Sequence, residues 1–386
     1  MIQARQKLDR EEREMNSPSE NTHNSEGKMA QIRAIRSAHP GNLMARYFSE
    51  DYFNSLDESK RARLWRIIRT GIENPDSQMG AYARNSSDYE DFEPLLGPMI
   101  RDYHNIPCGQ EIGQKHDWSA TTSRCNLADI DPALNGVSMR ARVGRNLAVF
   151  PLPGAMTKAQ RLEFEALMIK AFTTLQGDPQ FGGDYLSLTP GSSHAIDEGT
   201  YRRRVEAHQM FKDMGGDRYL AAAGISSDWP FGRGMYVSGS EDFIVWVGEE
   251  DHLRIMAMRQ GGDLAALFGR LHDGLEKLAR LIPAFAHSSR YGYVTSCPTN
   301  LGTAMRASLH LPLPRLTERG RNLEPAIIAA LDFGLSVRGA GGEHSDAGHG
   351  GLVDISPSAR LGVTETEIMQ RLYQGTAALW SLEIES

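Results

Sequence analysis

Cysteine is scarce: Cys108, Cys125 and Cys297 are the only three in 386 residues. An odd, sparse set without CxxC spacing is neither a disulfide framework nor a zinc site, and it fits a reducing compartment. Long apolar runs are missing too, and nothing approaches the roughly 18 residues of a membrane span. The opening MIQARQKLDREERE alternates charges without an apolar stretch, so it reads as neither a secretory leader nor a transit peptide. A cytoplasmic location is expected. Positive charge is not in excess, since the net charge is −7, and no nucleic-acid or membrane partner is expected. The common nucleotide motifs are also lacking. No GxxxxGK[ST] occurs, no GxGxxG follows a strand, and there is no HRD or DFG set.

What is present divides in three. Residues 1–28, ending in the polar NSPSENTHNSEGK, read as a disordered tail. Residues 29–130 read as helices and loops. Leu64, Ile67 and Ile68 recur at helical spacing after Asp57 or Ser59 as caps, and 93–104 reads as another helix. From 131 to 386 the pattern is α+β. VSMRARV, FIVWVG, LRIMAM, YVTSC and AMRASLHL alternate like strands, with helices expected over 157–174 and 263–281. Strands joined by short turns favour an antiparallel sheet with helices packed on it. SVRGAGGEHSDAGHGG, 336–351, reads as a long functional loop.

Strand phase gives the sharpest chemical signal. In VSMRARV, Ser138, Arg140 and Arg142 share the face opposite Val137, Met139, Ala141 and Val143. In AMRASLHL, Arg306, Ser308 and His310 oppose Met305, Ala307, Leu309 and Leu311. Arg254 opens LRIMAM and Arg338 closes LSVRG. Each arginine alone is an ordinary solvated charge. If the faces coincide, five guanidinium groups meet and repel one another by a few kcal/mol per pair, at roughly 4–6 Å and an effective dielectric near 20. A polyanion among them resolves the repulsion, and arginine's planar fork suits phosphate oxygens. A di- or triphosphate is the expected ligand.

Two further features stand out. Glu249, Glu250 and Asp251 directly follow the apolar FIVWVG, and Glu343 lies in the glycine-rich loop. Cys297 ends YVTSC and precedes Pro298, a place where a cysteine is ordinarily a small buried hydrophobe. CPTNLGT, 297–303, resembles the signature of the phosphagen (ATP:guanido) kinases. GEEDHLRI, VSMRARVGR, RGAGGEHS, WPFGRG and RLGVTE resemble further segments of that family, and the resemblance runs from about residue 40 to the C-terminus.

The resemblance implies a small helical domain that recognises a guanidino substrate, followed by a catalytic domain with MgATP across an antiparallel sheet. By resemblance, Arg140, Arg142, Arg254, Arg306 and Arg338 bind phosphate, with Ser138 on the same strand face, and His208 and His310 lie beside the adenosine. The stretch Arg306, Ala307, Ser308, Leu309, His310 and the loop Arg338, Gly339, Ala340, Gly341, Gly342, Glu343 should line the nucleotide. The loop glycines allow backbone N–H groups to approach phosphate closely. Glu250 and Glu343 match the carboxylates that grip the guanidinium, with Cys297 beside them, and Ser77, Gln78, Met79 and Tyr82 match the loop that reads the substrate's other end. Glu250, Glu343, Cys297 and Arg254 are the expected catalytic set. Mg2+ is expected to ride on the ATP phosphates and water, with no direct protein ligand. Glu343 and the short 76–82 loop favour L-arginine as acceptor, with ADP and phosphoarginine as products. Taurocyamine, a protein arginine, or a non-catalytic nucleotide sensor are the alternatives. Donors around Cys297 would hold its thiol pKa low, and a monomer is the expected state.

Overall fold

The computed structural model describes residues 18–119, 125–339 and 350–385. The first helix runs Pro18–Ala38 and takes in residues 18–28, which composition assigns to the tail. Its second half explains this: Met29, Ile32 and Ile35 are buried on one stripe, so packing there propagates a helix that polarity alone does not favour. The helix Glu58–Ile67 starts at Asp57, whose side chain accepts from the Lys60 N–H. Leu64, Ile67 and Ile68 are fully buried against Phe53, Phe92 and Leu96. The helix Glu93–Tyr103 follows and completes this helical core.

Among the described residues, the larger part is built on ten strands. They are β1 (Ser138–Arg145), β2 (Gly183–Ser187), β3 (Gly234–Ser238), β4 (Phe243–Val247), β5 (Leu253–Gln260), β6 (His287–Ser288), β7 (Gly292–Tyr293), β8 (Met305–Pro312), β9 (Leu335–Gly339) and β10 (Leu352–Pro357). Eight form one antiparallel sheet in the order β2-β3-β4-β5-β1-β8-β10-β9, and β6 and β7 form a separate two-stranded pair. Helices Lys158–Leu175, Leu264–Ala279 and Glu365–Glu385 cover one face of the large sheet. Phe164, Leu271 and Leu372 there pack in one core with Met139, Ala257 and Leu309. The first two helices begin at Thr157, in a reciprocal cap with Gln160, and at Asp263.

The opposite face is mixed. Towards β3 and β4, Met235, Ile244, Trp246 and Met256 lie under Met210 and Phe211. From β5 to β9 it is polar. YVTSC is strand only at its first residue, Tyr293: residues 294–297 run irregularly into a short 3-10 turn, Pro298–Asn300. Their backbone is engaged by other groups. Ala83 N–H donates to Ser296 O at 2.8 Å, the buried Tyr89 hydroxyl donates to Thr295 O at 2.7 Å, and Ser296 N–H donates to Asp251 at 2.7 Å. The helical part is thereby fastened to this turn. Among the described residues, no helix is long and apolar enough to cross a membrane.

Candidate active site

Register decides where the arginines go. Arg142 of β1 stands opposite Arg306 of β8, and Arg140 opposite Ser308. On the other side Arg140 and Arg142 pair with Met258 and Met256, which puts Arg254 two residues along on the same face of β5. His310 pairs with Asp354 of β10, and Asp354 pairs with Arg338 of β9. Side chains alternate along strands, so all five arginines lie on one face of the sheet. They share a cavity of about 670 Å3 with Glu250, Cys297, Gln78 and Tyr82.

The electrostatics match a site prepared for anions. Burial and then Arg254, Arg140 and Arg306 push the Arg142 pKa well down, with Glu249 opposing them. Burial lowers Arg306 to about 10, although its Nη2 donates to Asp354 Oδ2 at 2.9 Å. The Arg306 Nε and the Asp354 Oδ1 are buried without a hydrogen-bond partner. Arg254 is the hinge between the cations and the acids. Its Nη2 lies 2.8 Å from Glu249 and 3.5 Å from Glu250, and its guanidinium sits over the Trp246 ring.

At the acidic end, Glu250 is 17% exposed. Burial raises its pKa to about 8, with Glu249 and Asp251 adding to the rise and Arg254 and Arg142 opposing it. Asn300 Nδ2 donates to its Oε2 at 3.4 Å. Cys297 is 6% exposed, and its Sγ lies 3.1 Å from Thr299 Oγ1. The expectation of a low thiol pKa is corrected here. Burial and then the neighbouring Glu250 push it up to about 12, and the hydroxyl and backbone of Thr299 oppose the rise without offsetting it. Tyr82 is driven in the same direction by burial and by Cys297 and Glu250.

Other sequence-derived residues fall differently. Met79 points into the helical core and is 5% exposed. Ser77 uses its Oγ to accept from the Gly80 N–H at 3.1 Å, holding the turn. Gln78 and Tyr82 are therefore the members of that loop lining the cavity. Ala307 and Leu309 turn their side chains into the core, leaving Arg306, Ser308 and His310 on the polar face. Ser138 begins β1 on that face, and Gly339 ends β9. His208 lines a second cavity of about 310 Å3 that shares Arg140 and Arg254 with the first. Burial lowers the His310 pKa; Asp354 opposes this, while Arg140 and His208 lower it further. Ala340, Gly341, Gly342 and Glu343 lie outside the described residues.

Several site residues were not singled out by the sequence. Asp354 follows the same alternation in LVDIS that exposes the arginines, so strand phase held a signal for it. Thr299, Asn300 and Arg360 sit in quoted segments but carry no distinguishing pattern of their own. Asp251 and His252 turn out to be supports. Asp251 accepts from Asn146 and from the Ser296 N–H, both at 2.7 Å. His252 Nδ1 accepts from Leu147 N–H at 3.0 Å, its Nε2 donates to Pro151 O at 2.9 Å, and burial lowers its pKa to about 3. Among the described residues, no group of three or more His, Cys, Asp and Glu side chains could hold a metal ion.

Residues 163–386 match the family described as ATP:guanido phosphotransferase, C-terminal catalytic domain, and residues 39–101 match its N-terminal domain. The chain is 39% identical to an arginine kinase of Artemia franciscana, over 89% of this chain and 92% of that one. It is 38% identical to an arginine kinase of Penaeus monodon, over 89% and 93%. The structure resembles the duplicated taurocyamine kinase of Schistosoma mansoni, with a TM-score of 0.78 and 30% identity over 93% of this chain and 48% of that one. It also resembles a lombricine kinase, with a TM-score of 0.78 and 28% identity over 89% and 92%.

Proposed function

Because the chain belongs to the ATP:guanido phosphotransferase family, we propose that it moves the γ-phosphoryl group of MgATP reversibly onto the guanidino group of L-arginine. The observation that carries this is the place of Arg254. Its guanidinium faces the phosphate-type arginines while touching Glu249 and Glu250. A phosphoryl group held by the arginines and an acceptor held by Glu250 therefore meet in one cavity.

The chemistry follows from the charges. A guanidinium is a poor nucleophile, since its pKa is above 12 and its lone pairs are delocalised. Glu250 fixes one nitrogen in line with phosphorus and accepts the departing proton. Its raised pKa places it near neutrality before the substrate arrives. A bound guanidinium adds a cation between Glu250 and Cys297, and lowers the pKa of both. Glu343 would supply the second carboxylate. Arg140, Arg142, Arg254, Arg306 and Arg338 spread the charge of the transferring group, and Mg2+ enters as part of the nucleotide substrate. Transfer is direct and in line, with no phosphoenzyme.

Gln78 and Tyr82, which line the same cavity from the helical part, would read the amino-acid end of L-arginine. The curated relatives above carry arginine kinase names, while the solved neighbours are taurocyamine and lombricine kinases. Taurocyamine is therefore the second reading. A protein-arginine acceptor is disfavoured by the match of residues 39–101 to the family's N-terminal domain. The test is ADP release with MgATP and each of L-arginine, taurocyamine, lombricine, creatine and an arginine-rich peptide. L-arginine is expected to give the highest kcat/KM. Preference for another compound overturns the choice of acceptor, and no turnover with any of them overturns the activity.

A further inference from the structure

A second group of arginines stands away from this site. Arg66, Arg69 and Arg84 line a cavity of about 290 Å3 between the helical part and the sheet part, closed by Gly154, Gly224 and Ser227. Among the described lining residues there is no carboxylate. Elsewhere on the helical part arginines are paired with carboxylates or donate to backbone carbonyls, as Arg36, Arg61 and Arg101 do. Arg46 meets Asp102, and Arg63 meets Asp88 and Asp91. Arg66 and Arg84 have no ion-pair partner among the described residues, and Arg69 has only Glu73, one turn along its own helix at 2.6 Å.

The cavity is built rather than incidental. Arg84 is half-buried, and its Nη1 donates to Ala223 O at 3.1 Å, which aims the guanidinium across the joint. A Cβ at Gly224, whose φ is +76°, would come within 3.3 Å of that guanidinium and within 2.9 Å of Gly154 O. A Cβ at Gly154 would come within 2.5 Å of Ala223 O. Both walls are thus bare backbone packed tightly against each other and against Arg84. Burial lowers the Arg84 pKa, and Arg66, Arg69 and Arg161 lower it further, with Asp88 opposing them. Behind the cavity Arg161 is committed, donating to Pro153 O and Gly224 O at 2.8 and 3.1 Å.

We propose that this cavity is a binding site for a tetrahedral dianion of the phosphate class, either inorganic phosphate or a phosphomonoester, separate from the nucleotide site. Three guanidinium forks around a small cavity offer many N–H donors, and the cavity wall itself carries no carboxylate. An anion between them removes their mutual repulsion. It also bridges the two parts of the chain. Arg66 and Arg69 belong to the helical part, while the Gly224 wall continues from the segment holding Asp217 and Leu220, which line the second cavity beside Arg140. Tyr82, two residues before Arg84, lines the main cavity. Occupancy should therefore favour the joined arrangement of the two parts.

The test measures Tm with the protein saturated by MgATP and without any guanidino compound, so that the sheet arginines are filled. Inorganic phosphate, glycerol phosphate and chloride at matched ionic strength are added in separate arms. That block rests on the function proposed above, whereas the comparison of variants does not. Phosphate, glycerol phosphate or both are expected to raise the wild-type Tm by about 2–4 °C beyond chloride, and the arm that responds identifies the source. The rise is expected to vanish in Arg66→Ala, and in the double variant Arg66→Ala with Arg84→Gln, where the introduced amide retains a donor for Ala223 O. Arg66 is exposed, so its removal leaves the fold intact. No rise beyond chloride in either arm overturns the proposal. So does an equal rise in wild type and Arg66→Ala.

Discussion

The two faces of the large sheet are made from the same strands and do opposite things. On one face Met139, Ala141, Leu309 and Ile355 vanish into a core closed by helices. On the other, one residue away along each strand, Arg140, Arg142, Ser308 and Asp354 line the working cavities or flank them. The first face supplies free energy of folding; the second gathers like charges and weakens it. Function here is thus carried by the period of two. A slip of one residue in β1 or β8 would turn arginines into the core and methionine into the site.

That division of labour is open to experiment, starting where the largest effect is expected. Arg254→Ala should lower kcat by about 10²–10³-fold while leaving Tm almost unchanged, since relief of repulsion among the arginines offsets the loss of its ion pairs with Glu249 and Glu250. Activity within threefold of wild type would separate Arg254 from the chemistry. Leu309→Ala, one residue from Ser308, should do the reverse. It should cost about 2–5 kcal/mol of stability in chemical denaturation, with kcat of the folded enzyme within a few fold. A collapse of kcat at unchanged stability would refute the assignment of the two faces.

Glu250 refines the contrast because one group serves both sides. Its folded pKa, about 8, lies above the unfolded value of 4.5. The folded state therefore holds the extra proton between those values, and stability falls as pH rises from 4.5 through 8. Glu250→Gln should abolish most turnover, raise Tm relative to wild type by about 2–4 °C at pH 8.5, and leave it unchanged near pH 4. An equal Tm difference at both pH values would remove Glu250 as the cause. Proton release on guanidino binding at pH 7, seen by calorimetry in buffers of different ionisation enthalpy, should disappear in the same variant.

The smallest effect is expected at Cys297. With its thiol raised to about 12 the residue is neutral in the free site, so Cys297→Ser should lower kcat by about tenfold without abolishing it. A folded but wholly inactive Cys297→Ser protein would return the thiol to the centre of the mechanism.

The arginine face is legible in the sequence because alternation is a local property, readable without knowing which strands pair. Its assembly is not, since register between β1, β5, β8 and β10 depends on residues at least 40 positions apart. Other departures share that cause. YVTSC alternates like a strand, yet Tyr89, Ala83 and Asp251 from distant segments take its backbone. Met79 reads as a pocket residue because its neighbours Gln78 and Tyr82 are, and only the helical core reveals its direction. Residues 18–28 read as tail on polarity alone, without Met29, Ile32 and Ile35 behind them. The thiol pKa of Cys297 depends on burial and on Glu250, both invisible in CPTNLGT.

The Tyr89 hydroxyl has a practical consequence. Buried completely, it reaches from the helical part to Thr295 O, two residues before Cys297. The backbone leading to Cys297, whose thiol faces the main cavity, is thus tied directly to the helical part. Maleimide labelling of Cys297, followed without a guanidino compound, therefore reports on that joint and needs no fluorophore.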